Sequence, residues 1–172
     1  MSVEVDVRDL VDRPGSSRRV HVEERLGGLQ TELARVDTER PIEVDLLMES
    51  VVEGILASGP VEAVVALSCA RCLKPFEDGF RVEVQELFAG GGAADEDYRI
   101  DEGIVDLEPL IRDAVVTSLP FAPLCRPDCL GLCSRCGGDL NLGECSCPPE
   151  TDARWEALSQ IRVESLNDPR EE

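Results

Sequence analysis

Eight cysteines sit in two separate stretches of the chain, and their spacing limits what it can fold into. Cys69 and Cys72 form an isolated C-x2-C, and the other six run from Cys125 to Cys147 as C-x3-C-x3-C-x2-C-x8-C-x-C. Tetrahedral zinc takes four ligands, and a C-x2-C hook lets two thiolates from one turn reach one ion. Eight thiols in this pattern read as two structural Zn2+ sites. Cys133, Cys136, Cys145 and Cys147 form one quartet, because Cys133-Ser-Arg-Cys136-Gly137-Gly138 resembles the knuckle of a zinc ribbon, with glycines to turn the chain. Cys145-Ser-Cys147 is one residue shorter than a C-x2-C hook, which places its two thiols on one face of an extended strand. Cys69, Cys72, Cys125 and Cys129 make the second quartet by remainder. Iron–sulfur ligation and reversible disulfide chemistry use the same residue type. Glycine after the hook favours zinc over both, although Arg71 and Lys74 beside Cys69 and Cys72 are the kind of base a low-pKa redox thiol needs.

Composition narrows how the thiols are used. Ser2 to Leu10 alternates polar and apolar residues without an apolar h-region, so the chain is expected in the reducing cytoplasm, where stable disulfides are disfavoured. Every hydrophobic run is interrupted before the roughly 20 apolar residues of a membrane span. The formal charge is -19, from 36 acids against 17 bases. A phosphate backbone is gripped by clustered Lys and Arg, and here the bases are dispersed, with Lys74 the only lysine. Broad direct nucleic-acid binding is therefore not expected, and the natural partner is a basic protein. The charge also serves simple solubility.

Local patterning predicts an α+β fold. Val3, Val5 and Val7 alternate as a half-buried strand, ended by Pro14-Gly15, and Arg19 to Leu26 reads as a short strand followed by a loop or small helical turn. Ile42, Val44 and Leu46 give another strand, and Val51, Val52, Ile55 and Leu56 carry the sheet to a turn at Ser58-Gly59. Val61 to Leu67 and Phe80 to Val84 then pair as a hairpin whose tip carries Cys69 and Cys72. Ala89 to Asp97, with three consecutive glycines, is a flexible acidic loop. Asp106 caps a long helix with Pro109 in its first turn and Leu107, Leu110, Ile111, Ala114, Val115 and Leu119 on one face, stopped by Pro120. Asp152 starts a last helix with Trp155, Leu158 and Ile161 as its apolar stripe, and the tail frays from Asn167.

The expected organisation is an antiparallel β region over 1–88, able to close into a barrel, then the loop at 89–97 and a covering helix region of the same domain at 98–124. A cysteine-rich annex spans 125–149, and a C-terminal helix with its tail spans 150–172.

Catalysis finds little support. His21, the one histidine, stands beside Glu23 and Glu24 in a polar strand, the setting of a surface residue. There is no G-x-G-x-x-G, P-loop or G-x-S-x-G, and two four-thiolate sites leave no open metal position to activate water, so no catalytic residue is assigned.

Four segments together closely resemble the YceD family of bacterial large-ribosomal-subunit RNA accumulation proteins. They are Cys69-Ala-Arg-Cys72-Leu73 with Pro75-Phe76, Ile104-Val-Asp-Leu107, Leu119-Pro120 with Pro123-Leu-Cys125, and Gly131-Leu-Cys133-Ser-Arg-Cys136-Gly137 with Leu140-Asn141. The likeness covers most of the chain and is thinnest before residue 40. It implies a cytoplasmic, non-enzymatic protein needed for ribosomal RNA processing or accumulation; with the charge of -19, the expected route is through a basic ribosomal protein or rRNA-processing factor. Ser134 replaces the proline common in the family's G-L-C-P-x-C-G form. Because family members differ in their C-terminal cysteines, metal would stabilise this branch without being the shared function. The alternative from another class is a thiol-based redox or zinc-release sensor.

Overall fold

The computed structural model describes residues 2–90, 98–143, 145–148 and 154. The chain divides into two compact units, Met1–Gly131 and Leu132–Glu172. The first is mostly antiparallel sheet with one helix. Its strands are β1 (Glu4–Asp6), β2 (Ser17–Glu24), β3 (Ala34–Val36), β4 (Ile42–Val51), β5 (Gly54–Ser68), β6 (Pro75–Ala89) and β7 (Ile104–Asp106), followed by α1 (Glu108–Ser118).

The main sheet is built around β5. One side of β5 is paired along its length with β6, and the other side is shared by β4 over Gly54–Glu62 and β3 over Val65–Leu67, while β2 extends the sheet beyond β4. Among the described residues β2 and β6 do not pair, so the sheet is open and the expected barrel closure is not found. The expected place of the first strand is also corrected. β1 leaves the main sheet and pairs with β7, and Asp106 Oδ1 accepts from the amides of Val3 at 2.8 Å and Glu108 at 2.9 Å. One carboxylate thus ties the N-terminal strand to the start of α1, and Leu107 rather than Asp106 occupies the N-cap position.

A second correction concerns Ser58-Gly59, which is not a turn. The reversal between β4 and β5 falls at Val52-Glu53, and β5 runs straight through Gly59. Gly59 is needed for close approach: with φ +148, a Cβ there would meet the Asp45 carbonyl oxygen at 2.1 Å. Pro60 follows without an N–H to donate, and the β4–β5 pairing lapses at this point. The strand expected at Arg19 is found as β2, longer than expected, and the loop alternative follows it, with residues 25–29 irregular and not helical.

β4 shows why the sheet has two unlike faces. Ile42, Val44, Leu46, Met48 and Ser50 are buried while Glu43 and Asp45 are exposed, the period of two that a half-buried strand imposes. The buried face receives Ile55, Ala57, Val61 and Phe88 from the sheet and Leu110, Ile111 and Val115 from α1. α1 ends where Leu119 adopts φ -59, ψ 136 before Pro120, since proline disfavours a helical residue ahead of it. Phe88 is fully buried, with its ring 5.8 Å from that of Tyr98 at 56°.

In the second unit the described structure is a knuckle at 133–138, an isolated bridge between Leu132 and Asp139, and a 3-10 turn at Leu140–Leu142. The expected C-terminal helix with Trp155 and the fraying tail lie outside the described residues. Among those described, no helix is long and apolar enough to cross a membrane.

Phe88→Ala is expected to destabilise the protein by about 3–5 kcal/mol, because it removes the largest fully buried side chain between sheet and helix. Urea denaturation should show the loss as a lower midpoint at an unchanged slope.

Candidate metal centres

The local backbone brings the first quartet together. β5 ends at Ser68, and Cys69 to Lys74 reverse the chain into β6, with Cys69 N donating to Lys74 O at 3.0 Å and Leu73 N to Cys69 O at 2.8 Å. Leu73 takes φ 60, which closes the turn tightly enough for both hook thiols to point the same way. The segment after α1 is held against this tip by Ala70 N donating to Pro123 O at 2.8 Å and by the Arg71 guanidinium donating to Cys129 O at 2.7 Å. Gly131 lets the chain pass, since a Cβ there would sit 2.9 Å from Arg71 O at φ +80.

Cys69, Cys72, Cys125 and Cys129 thereby place all four Sγ atoms within 4.8 Å of one another, as do Cys133, Cys136, Cys145 and Cys147. Sulfur separations are 3.8 Å for Cys69 and Cys129, 3.7 Å for Cys72 and Cys125, and 3.7 Å for Cys136 and Cys145. A tetrahedron with metal–sulfur bonds of about 2.3 Å has edges of about 3.8 Å, so both donor sets fit a tetrahedral ion such as zinc. All eight cysteines are free thiols.

The electrostatics of each quartet point the same way. The amides of Cys125, Cys72 and Arg71 aim at Cys69 and lower its pKa to about 6. The amides of Cys136 and Arg135 do the same for Cys133, also to about 6. The remaining thiols are pushed the other way. Burial and the sulfurs of Cys72, Cys69 and Cys129 raise Cys125 to about 12, and the sulfurs of Cys136 and Cys145 together with burial raise Cys147 to about 12. Cys72 and Cys145 are also raised: the amides of Lys74 and Cys147 pull them down, but burial and the neighbouring sulfurs outweigh that pull. Four sulfurs this close cannot all ionise on their own, and a dication is the group that lets them.

The quartets differ in shelter. Cys69, Cys72 and Cys129 are buried and Cys125 is exposed, whereas in the other quartet Cys136 is exposed and Cys133, Cys145 and Cys147 are half-buried. The second knuckle is shaped by Cys133 N donating to Gly138 O at 2.8 Å, Gly137 N donating to Cys133 O at 2.9 Å, and Gly137 at φ +72. Cys145 and Cys147 do not lie on a strand, as their spacing suggested. They sit in irregular backbone where the Cys147 amide donates to the Cys145 sulfur at 3.4 Å.

Sequence reasoning missed Arg71 as the clamp on the 125–131 segment. Its signal was Gly131, a glycine two residues after Cys129. His21 lies on the exposed face of the sheet, its Nδ1 2.8 Å from Asp45 and its Nε2 3.3 Å from Glu23, and those carboxylates raise its pKa.

The described parts define a small class: an open antiparallel sheet whose hairpin tip is stapled to a post-helix segment by cysteines, followed by a cysteine knuckle. Comparison with known proteins gives the family. Residues 57–162 match the family described as large ribosomal RNA subunit accumulation protein YceD. An uncharacterized protein of Mycobacterium tuberculosis (strain H37Rv) is 39% identical over 168 residues, 91% of this chain and 80% of its own length. An uncharacterized protein of Mycobacterium leprae is 35% identical over 167 residues, 91% and 76% of the two chains. The chloroplastic large ribosomal RNA subunit accumulation protein YCED homolog 1 of Zea mays is 26% identical over 126 residues, 53% of this chain and 43% of its own. No solved structure matches. This chain belongs to the YceD family.

Reduced protein titrated with Co2+ or Zn2+ is expected to saturate at two ions per chain, and Cys69→Ser or Cys136→Ser at one. Cys69→Ser should also lower Tm by roughly 10 °C, about 3 kcal/mol, because it unties the hairpin tip of the main unit. Each bound ion displaces thiol protons, so loading is complete at neutral pH and falls as pH drops through about 6, where even Cys69 and Cys133 regain their protons. Metal retained quantitatively at pH 4 would contradict four-thiolate ligation.

Proposed function

We propose that this chain is a non-enzymatic cytoplasmic factor that supports processing or accumulation of large-subunit ribosomal RNA, with zinc as the structural ion at both cysteine quartets. Membership of the YceD family over residues 57–162 is the observation that carries this reading. The quartets supply scaffolding: four thiolates fill a tetrahedral zinc and leave it no open position for substrate or water. The charge of -19 favours action through a basic ribosomal protein or rRNA-processing factor over direct contact with phosphates.

A second reading is favoured by one observation, the exposure of Cys136 and partial exposure of its three companions. Thiolates open to solvent react with oxidants, and a zinc-release sensor would use that quartet. Zinc per chain before and after mild peroxide separates the two: a scaffold keeps its ion at Cys69, Cys72, Cys125 and Cys129 and keeps its activity, whereas a sensor loses activity in step with the ion at the exposed quartet.

Depletion of the protein in its host is expected to lower the ratio of large- to small-subunit ribosomal RNA at least twofold, with rescue by the wild-type chain. An unchanged ratio after depletion contradicts the proposed function.

A further inference from the structure

The solvent face of the main sheet carries an arrangement that folding alone does not require. Outward positions of β2, β4, β5 and β6 fall into register across the strands, and one row reads Glu23, Glu43, Glu62, Arg81. Cross-strand neighbours stand roughly 5 Å apart, where like charges destabilise a sheet. Glu62 and Glu83 are relieved by Arg81, and Glu23 and Asp45 by His21. Glu43 stands between two carboxylates with no counter-ion among the described residues. His21 and Arg81 are therefore already engaged by the acids of this face; Arg19 stands on it too, opposite Leu47, and against these bases Glu23, Glu43, Asp45, Glu49, Glu62 and Glu83 leave a surplus of negative charge.

The next rows shape the same face. Ser58, Gly59 and Pro60 offer little side chain, and the gap above them forms a shallow depression of about 460 Å³ bordered by Arg19, Asp45, Leu47, Glu83 and Gln85. Because a Cβ at Gly59 would strike the Asp45 carbonyl, this floor stays bare. Leu56 and Leu87, paired across β5 and β6, give the far end of the face a half-exposed apolar strip.

We propose that this face, from β2 across β4 and β5 to β6, is the docking surface for a Lys/Arg-rich segment of a protein partner, whose cationic side chains neutralise the Glu23–Glu43–Glu62 row while their apolar stems lie along Leu56 and Leu87. The inference deepens the proposed function by naming the surface and the charge chemistry of its partner, and it rests on that reading for the partner being a protein. A polynucleotide is repelled by the same carboxylates. A second copy of the chain would set one acidic face against another.

The test uses the full chain with both quartets loaded. A short synthetic Arg/Lys-rich peptide is titrated while backbone amide shifts are followed by NMR, with an Asp/Glu-rich peptide and a single-stranded oligonucleotide as comparisons. Shifts are expected to concentrate on outward positions of β4, β5 and β6, including Glu43, Glu62 and Glu83, and to leave α1 unmoved. The Glu43→Gln/Glu62→Gln variant should bind the peptide ~tenfold more weakly and with a shallower salt dependence, yet melt a few degrees higher because the like-charge row is relieved. Glu32→Gln/Glu102→Gln, which removes the same charge from exposed acids off this face, should leave affinity within about twofold. Shifts spread evenly over the surface, equal weakening by both double variants, oligonucleotide binding on this face, or dimerisation through it would each overturn the inference. Its failure is separable from that of the proposed function: if Glu43→Gln/Glu62→Gln fully rescues ribosomal RNA in depleted cells, the surface is wrong and the function stands, whereas an unchanged RNA ratio on depletion removes the function and leaves the peptide map intact.

Discussion

The convergence of four cysteine sulfurs at the tip of the β5–β6 hairpin is the constraint on which the rest of the main unit depends. That hairpin carries the two longest strands, and its tip lies about 60 residues in sequence from the partners that hold it. Sulfurs 3.7 to 3.8 Å apart repel once ionised, so four thiolates here are compatible with one another only around a cation. With one, the post-helix segment is fastened to the sheet, and α1 is held at both ends: by Asp106 at its start and by the clamped segment after Pro120. Few aromatic residues are available to do this by packing, since they make up 3% of the chain.

The sheet then separates two kinds of surface. One face is a core of aliphatic side chains plus Phe88, sealed by α1. The other is acidic, and its acids are placed by strand register, not scattered. The same period of two that buries Val44 and Leu46 aims Glu43 and Asp45 outward beside Glu62 and Glu23. Fold stability and surface charge are set by alternate residues of one strand, which lets the outward set carry a cost for recognition without disturbing the core.

Much of this was legible in sequence because it rests on short-range rules. The β4 alternation, the α1 stripe and its stop at Pro120, and the grouping of Cys133, Cys136, Cys145 and Cys147 follow from periodicity and from ligand spacing, with the other four cysteines left by remainder. What escaped were long-range choices. Nothing local says that β1 pairs with β7 and not with β2. Ser58-Gly59 carried a turn signal, but the glycine was serving close approach to Asp45, and the true reversal at Val52-Glu53 has no proline and only Gly54 after it. Barrel closure depends on whether β2 and β6 meet, which their own residues do not encode. Cys145 and Cys147 were read as strand because two-residue spacing suits one. Their sulfurs are gathered instead by an amide from irregular backbone.

Family membership and the sulfur geometry share residues, since three of the four segments that resemble the family carry cysteines of the two quartets. Family membership ties the chain to proteins described by large ribosomal RNA subunit accumulation, and the sulfur geometry is compatible with a tetrahedral metal. The claim that unites the fold is that each quartet shares one ion. X-ray absorption at the zinc edge of protein purified under reducing conditions tests it most directly. The account predicts a single shell of four sulfurs at about 2.3 Å. A shell containing nitrogen or oxygen, or zinc absent while the main unit remains folded, would contradict it.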